Sequence, residues 1–202
     1  MHPETHALIV VDLQPDFCPG GALAVAGGDE IVAGINAAMA EFATVILTQD
    51  WHPADHLSFA SQHPGAAPFS EVELPYGRQT LWPDHCIQGT PGAALHPGLA
   101  ADRAQMILRK GFRREIDSYS AFFENDRTTC TGLHGYLRNR GIETLTFAGL
   151  ATDFCVAWSA LDAARLGYAV HVREGLCRAI DLNGSLAAAR AEMAAAGVVL
   201  VP

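Results

Sequence analysis

Short, unbroken apolar runs alternate with helix-patterned stretches along almost the whole chain, and this alternation leaves few folds open. The runs fall at His6–Val11, Thr44–Thr48, Gln105–Arg109, Glu143–Ala148, Tyr168–Val172 and Val198–Val201. A strand that is apolar continuously, rather than at every second position, is buried on both faces, as in a parallel sheet covered on both sides. The helix-patterned stretches Asp29–Glu41, Thr131–Arg140, Asp153–Leu166 and the alanine-rich Leu182–Ala196 supply the cover. Gly141, Gly167 and Gly197 each stand between a helical pattern and the next strand, as C-terminal caps do. The pattern predicts a Rossmann-like, doubly wound α/β/α domain with a mainly parallel sheet of about six strands, residues 1–202 forming one unit. The usual doubly wound strand order is 3-2-1-4-5-6; an order with strands 1, 3 and 4 side by side would gather the polar strand ends more directly.

A chain of 202 residues with 50% apolar content has ample material for a core. Its formal charge of −9 argues against nucleic acid or an anionic membrane as partner. The apolar run Ala7–Val11 is too short for a signal peptide and is followed at once by Asp12. No run approaches the roughly 20 apolar residues of a membrane helix. Five cysteines (Cys18, Cys86, Cys130, Cys155, Cys177) are odd in number and never C-x-x-C. Reduced thiols in a cytoplasm are therefore expected rather than a disulfide frame. Self-association is left open.

The segment from residue 50 to 101 breaks the alternation. It is rich in Pro and Gly, has little periodicity, and holds Trp51, Trp82 and five of the nine histidines. A long insertion of such apolar, ligand-rich composition is expected to fold over the sheet as a pocket wall.

Ligands of open α/β sheets bind beyond the C-terminal strand ends. Those ends carry Asp12, Asp50 with His52, Lys110 and Cys155. Cys155 follows the strand in Gly149-Leu150-Ala151-Thr152-Asp153-Phe154-Cys155, where Thr152 or Asp153 would cap the next helix. In a first helical turn, unpaired N–H groups and the helix dipole can lower a thiol pKa from about 8.5 toward neutrality, making a nucleophile; the plainer reading is a small core residue. Asp12 either caps the following loop or, facing a thiol, acts as general base. Lys110 lies between an apolar run and Gly111-Phe112, which suggests partial burial against an anionic partner, with Asp12 and a Cys155 thiolate the candidates. In extended chain Asp50 and His52 point the same way and could grip one ion, with His85 as third ligand and His56 next in line. Two histidines and a carboxylate suit Zn²⁺, Fe²⁺ or Mn²⁺ with positions left open. His2, His6, His134 and His171 are assigned to the surface or to strand packing.

Six co-linear segments carry a resemblance. They are Val10–Phe17 (VVDLQPDF), Thr48–Pro53 (TQDWHP), Asp55–Ala60 (DHLSFA), Leu81–Cys86 (LWPDHC), Arg109–Gly111 and Gly149–Val156 (GLATDFCV). Together they resemble the nicotinamidase/pyrazinamidase group of the isochorismatase-like cysteine hydrolases, over nearly the full chain. The resemblance implies a catalytic triad of Asp12, Lys110 and Cys155, and metal ligands Asp50, His52 and His85, with zinc favoured. It implies Phe17 and Trp82 flanking the substrate ring, Tyr119 and Phe123 adding to the wall, and an oxyanion hole from the backbone N–H groups of Ala151 and Cys155. It also implies a cis peptide at Leu150–Ala151. The likeness is looser from Phe112 to Asp117, where Arg113, Arg114 and Glu115 form a charged stretch.

The activity so implied is hydrolysis of nicotinamide to nicotinate and ammonia through a cysteine thioester, in NAD salvage, with pyrazinamide as a further substrate. Two other readings stand beside it. One is a metal-independent cysteine amidase acting on a carbamoyl or ureido substrate. The other is a nucleotide-binding α/β module, although the chain lacks G-x-G-x-x-G and G-x-x-x-x-G-K-[ST].

Overall fold

The computed structural model describes residues 2–202. Its main sheet has six strands, β1 (His6–Val11), β2 (Thr44–Asp50), β5 (Met106–Lys110), β6 (Thr144–Leu150), β7 (Ala169–Arg178) and β8 (Val199–Val201), in the order β5-β2-β1-β6-β7-β8. Every pairing in it is parallel. Counted along the chain this is the usual 3-2-1-4-5-6 order, not the one with strands 1, 3 and 4 adjacent. The helices are α1 (Val32–Met39), α2 (Leu133–Asn139), α3 (Ala157–Arg165) and α4 (Ser185–Ala195). The doubly wound architecture expected from the apolar runs is the one observed.

The central strands explain their own sequence. All seven residues of β2 are buried, as are all of β1 and β6 except their first. Leu8, Ile9, Leu47 and Phe147 are fully enclosed, each such burial being worth about 1.5–3 kcal/mol. Gly141, Gly167 and Gly197 adopt the left-handed conformation at their helix ends, as caps. Gly149 is needed for a different reason. Its φ is 124°, and a Cβ there would lie 2.1 Å from the Val11 carbonyl oxygen, so only glycine lets β6 run this close to β1.

Three departures from the expected boundaries are informative. β2 continues through Gln49 to Asp50, because Asp50 still pairs with Lys110 of β5. β7 runs on to Arg178 across an irregularity: Phe147 faces Val172, but Gly149 faces Cys177. The polar residues of that detour hid the strand's continuation. Within 50–101, β3 (Glu71–Leu74) and β4 (Gly77–Thr80) form an antiparallel hairpin whose four-residue strands hold only Val72 and Leu74 as apolar residues, too few to show as a run. Among the described residues no helix is long and apolar enough to cross a membrane.

Candidate active site

The C-terminal ends of four neighbouring strands, β5, β2, β1 and β6, meet at the point where strand order reverses. Asp12 leaves β1 with a positive φ of 45°. Its Oδ1 accepts from Thr48 Oγ1 at 2.6 Å, and its backbone N–H donates to the same hydroxyl at 3.1 Å. Its Oδ2 lies 2.8 Å from Lys110 Nζ as an ion pair, without accepting a well-angled hydrogen bond. Lys110 starts two strands away, and its extended side chain crosses the end of β2 to reach Asp12. The length of lysine thus removes any need for strands 1, 3 and 4 to be adjacent. The ammonium also donates to Asp50 Oδ1 and the Ser118 carbonyl, both at 2.9 Å, and lies 3.5 Å from Cys155 Sγ.

All these groups are buried. Burial disfavours the Lys110 ammonium, but Asp12 and Asp50 outweigh it and hold its pKa well above the usual value. Burial pushes Asp12 above the ordinary carboxylate range, with the nearby Asp50 charge adding to the rise and Lys110 opposing it. The Cys155 thiol is likewise pushed well up by burial; Lys110 pulls it down, while Asp12 and Asp50 push it further up. This corrects the expectation of a thiol acidified by a helix N-terminus. One cation already serves two carboxylates, so a thiolate would add a third negative charge to a buried cluster. Both shifts favour the protonated forms, a thiol beside a carboxylate of raised pKa.

The local chain geometry corrects the cap as well. Neither Thr152 nor Asp153 caps a helix through its side chain. Thr152–Val156 form a turn wider than an α-helix, in which Val156 N–H donates to the Ala151 carbonyl five residues back. Buried Asp153 instead accepts from the backbone N–H groups of Ile180 and Asp181 and from Ser185 Oγ, tying the segment after β7 to the cysteine turn. The Leu150–Ala151 peptide is cis.

Beside this cluster, Asp50, His52 and His85 bring three potential ligand atoms within 4.8 Å of one another. His52 Nδ1–H donates to the Gly111 carbonyl at 2.8 Å and His85 Nδ1–H to the Pro83 carbonyl at 2.7 Å. Each bond leaves the ring's Nε2 facing Asp50 Oδ2, at 3.1 and 3.6 Å. A carboxylate and two ring nitrogens with fixed partners on their far sides form the donor set of a divalent metal. Burial opposes ionisation of Asp50, yet His52 and Lys110 hold its pKa well below the usual value. Burial likewise opposes the His52 imidazolium, and Asp50 overcomes it, raising that pKa. A bound cation would take the place of that proton. His56 is oriented differently: its Nδ1 accepts from Ser58 N–H, and its Nε2 faces the Ile116 carbonyl. It groups with His52 and Asp117, not with Asp50.

One cavity joins the two clusters. Cys155, Asp50 and His85 line it together with Phe17, Trp82 and Tyr119. Trp82 Nε1–H and Gln79 Nε2–H both donate to Tyr119 Oη, at 3.0 and 2.9 Å. Phe123 is not among the lining residues; it is half-buried and bridges to Cys130. Its expected place is taken by Phe154, next to the nucleophile in sequence, whose ring meets Trp82 edge-on at 4.9 Å. A roomier cleft of about 660 Å³ along Pro15–Gly21 and Pro91–Pro97 shares no lining residue with this cavity. Its own thiol, Cys18, is pushed up to about 11 by burial and by Asp29.

Sequence reading missed three supporting residues. Gln14 is fully buried and grips the Asp50 backbone from both sides. Its Oε1 accepts from Asp50 N–H at 2.7 Å, and its Nε2 donates to the Asp50 and Ala93 carbonyls at 2.9 Å. This side chain replaces the ladder bonds that β1 no longer supplies beyond Val11. Thr48 orients Asp12, and Gln79 Nε2 links Asp117 Oδ2 to Tyr119. Gln14 and Thr48 both stood in family-like segments; nothing local marked Gln79.

A six-stranded parallel α/β protein with a lysine–aspartate–cysteine cluster beside a metal-type donor set is the class that fold and site define. The isochorismatase domain matches residues 6–201, and the chain belongs to that family. A nicotinamidase of Acinetobacter baylyi is 58% identical over 192 residues, covering 95% of this chain and 90% of the relative. A solved nicotinamidase/pyrazinamidase of Acinetobacter baumannii is 56% identical with a TM-score of 0.98, covering 100% of this chain and 97% of the other. A pyrazinamidase of Pyrococcus horikoshii solved in complex with zinc is 34% identical with a TM-score of 0.78, covering 98% and 99% of the two chains.

Proposed function

We propose that this chain is a nicotinamidase, an amidohydrolase that converts nicotinamide to nicotinate and ammonia and also accepts pyrazinamide. The observation that carries the reading is that one cavity is lined both by Cys155 and by members of the Asp50–His52–His85 cluster. A carbamoyl or ureido amidase has no ring nitrogen for a metal to hold, so the second cluster would serve no purpose there. The relatives named nicotinamidase support the same substrate.

In this mechanism Asp12 takes the proton of Cys155 Sγ, and the thiolate attacks the carboxamide carbon. Lys110 compensates the charge throughout, held between Asp12 and Asp50. The backbone N–H groups of Ala151 and Cys155 receive the oxyanion, donors of this kind being worth about 3–4 kcal/mol apiece. Asp12 returns the proton to the departing ammonia, leaving a thioester. It then deprotonates a water that releases the acid and restores the thiol. Phe17 and Trp82 hold the ring, with Tyr119 fixing Trp82 through its indole N–H. Asp50, His52 and His85 would hold one divalent ion, zinc first and iron or manganese next. Such an ion supplies a Lewis-acid contact for the pyridine nitrogen and so orients the substrate. We read the chain as one hydrolase unit whose 50–101 segment forms the metal and substrate wall. All five cysteines are free thiols, which supports action in a reducing cytoplasm.

The test is ammonia release from nicotinamide by purified, metal-loaded protein, run beside Cys155→Ala and His52→Ala. Rapid release is expected from the parent protein. Cys155→Ala should lose at least about 10³-fold in kcat while remaining folded and metal-loaded. His52→Ala should lose metal and bind nicotinamide weakly. Folded, metal-loaded protein that releases no ammonia from nicotinamide but does so from a ureido compound would overturn the substrate. Full activity in Cys155→Ala would overturn the nucleophile.

A further inference from the structure

We propose an outer binding site for single-ring aromatic carboxylates, in a cavity of about 360 Å³ next to the active-site cavity. The two spaces share Tyr119 and Phe154 as a common wall. On the outer side Arg127, Arg78 and Trp158 complete the lining. The volume falls within the range of small-ligand sites, which begins at roughly 300 Å³.

The charged residues on the two sides of the wall differ. The inner cavity is lined by Asp50 and Asp117, whereas the outer one carries Arg78 and Arg127 against the single carboxylate Glu71. Arg127 is held in place. Its guanidinium lies 3.9 Å over the Trp158 ring, and its Nη1 donates to both oxygens of Asp162, at 3.0 and 3.1 Å. Its backbone has a φ of 63° beside a turn built by Asp126, which accepts from the backbone and hydroxyl of both Thr128 and Thr129. Nε and Nη2 of Arg127 have no hydrogen-bond partner among the described residues. Arg78 is 74% exposed and makes only a loose 3.5 Å contact with Glu71. Two guanidinium groups with donors to spare suit a carboxylate. Tyr119 meets Trp158 edge-on at 5.0 Å and Phe154 at 5.7 Å, giving a ring-lined floor.

The ligand class follows from the proposed reaction, on which the choice rests: a neutral carboxamide enters and an aromatic carboxylate leaves. The product carries a negative charge that the substrate lacks, and arginines lie immediately beyond Phe154. The outer cavity is therefore the first resting place of the departing acid.

The experiment is calorimetric titration of the metal-loaded protein with nicotinate, which needs no turnover and so stands even if nicotinamide is not hydrolysed. Two equivalents should bind. Arg78→Ala and Arg127→Met should each weaken one of them by about ten-fold, as loss of a charge-assisted contact implies. Arg190→Ala, remote from both cavities and paired with Glu174, should change neither. Arg127→Met leaves Asp162 with Arg165 alone; if it fails to fold, the surface variant Arg78→Ala decides. A single equivalent, or two whose affinities neither arginine substitution alters, would overturn the proposal. Absence of ammonia release with two arginine-dependent equivalents would instead overturn the reaction and keep the site.

Discussion

A lysine ammonium with 1% of its surface exposed is tolerable only because Asp12 and Asp50 flank it at 2.8 and 2.9 Å. The same arrangement decides the state of Cys155, which shares that ammonium and faces carboxylates of like charge to its own anion. We expect alkylation of Cys155 by iodoacetamide, followed by mass spectrometry of its peptide, to show no thiolate plateau near neutral pH. The rate should still be rising above pH 9, since burial sets the thiol well above its ordinary range. A plateau near pH 7 would mean that the helix-terminus argument wins after all. Gln14 supplies the second prediction at this scale. Gln14→Glu keeps the acceptor for Asp50 N–H but turns a carboxylate toward the Asp50 and Ala93 carbonyls that Nε2 now satisfies. Metal affinity measured by chelator competition should fall about 10- to 100-fold. Unchanged affinity would make Gln14 a core residue without influence on Asp50.

At the level of elements, the site depends on how closely β1 and β6 run together. Gly149 faces Val11 in the ladder, with no room for a Cβ and with a backbone conformation that other residues avoid. Gly149→Ala should therefore cost on the order of 3 kcal/mol by denaturant titration and displace the Cys155 turn relative to Asp12. A loss below about 0.5 kcal/mol would show that the two strands can part freely. The unbroken apolar runs of β1, β2 and β6 made these strands legible. The β3–β4 hairpin and the far half of β7 were not, because their apolar residues are few and interrupted by charged ones and by Gly175 and Gly77.

Across the molecule, the sheet's other end carries a pH-sensitive cluster. His6 packs against His2, His171 and Phe42, and its Nε2 meets Thr146 Oγ1 at 2.8 Å. Burial, then the neighbouring His2, His171 and Arg173, lower its pKa from 6.5 to about 4. Between those two values the unfolded chain binds the proton that the folded one refuses, so stability falls as pH drops from 6.5 toward 4. His6→Gln, which removes the titrating group while keeping a polar partner for Thr146, should flatten that part of the Tm-against-pH curve. An unaltered slope would place the acid sensitivity elsewhere.

The order of apolar runs was enough to define a parallel, doubly wound sheet. The polar residues at the strand ends were enough to single out Asp12, Asp50, His52, Lys110 and Cys155, because period and position within a strand are local properties. The residue reading ranked His85 before His56 as the further partner of Asp50, and the six-segment resemblance implied the same; the structure brings His85 into that cluster and turns His56 toward Ser58 and Ile116. Local signals could not say that Phe154 rather than Phe123 walls the cavity, or that Gln14 completes the edge of β2. The direction in which the Cys155 pKa moves was beyond reach for a further reason. A helix terminus is visible in sequence, whereas the desolvation and the Asp12 and Asp50 charges that oppose a thiolate arise only when four strands from distant parts of the chain place their ends together.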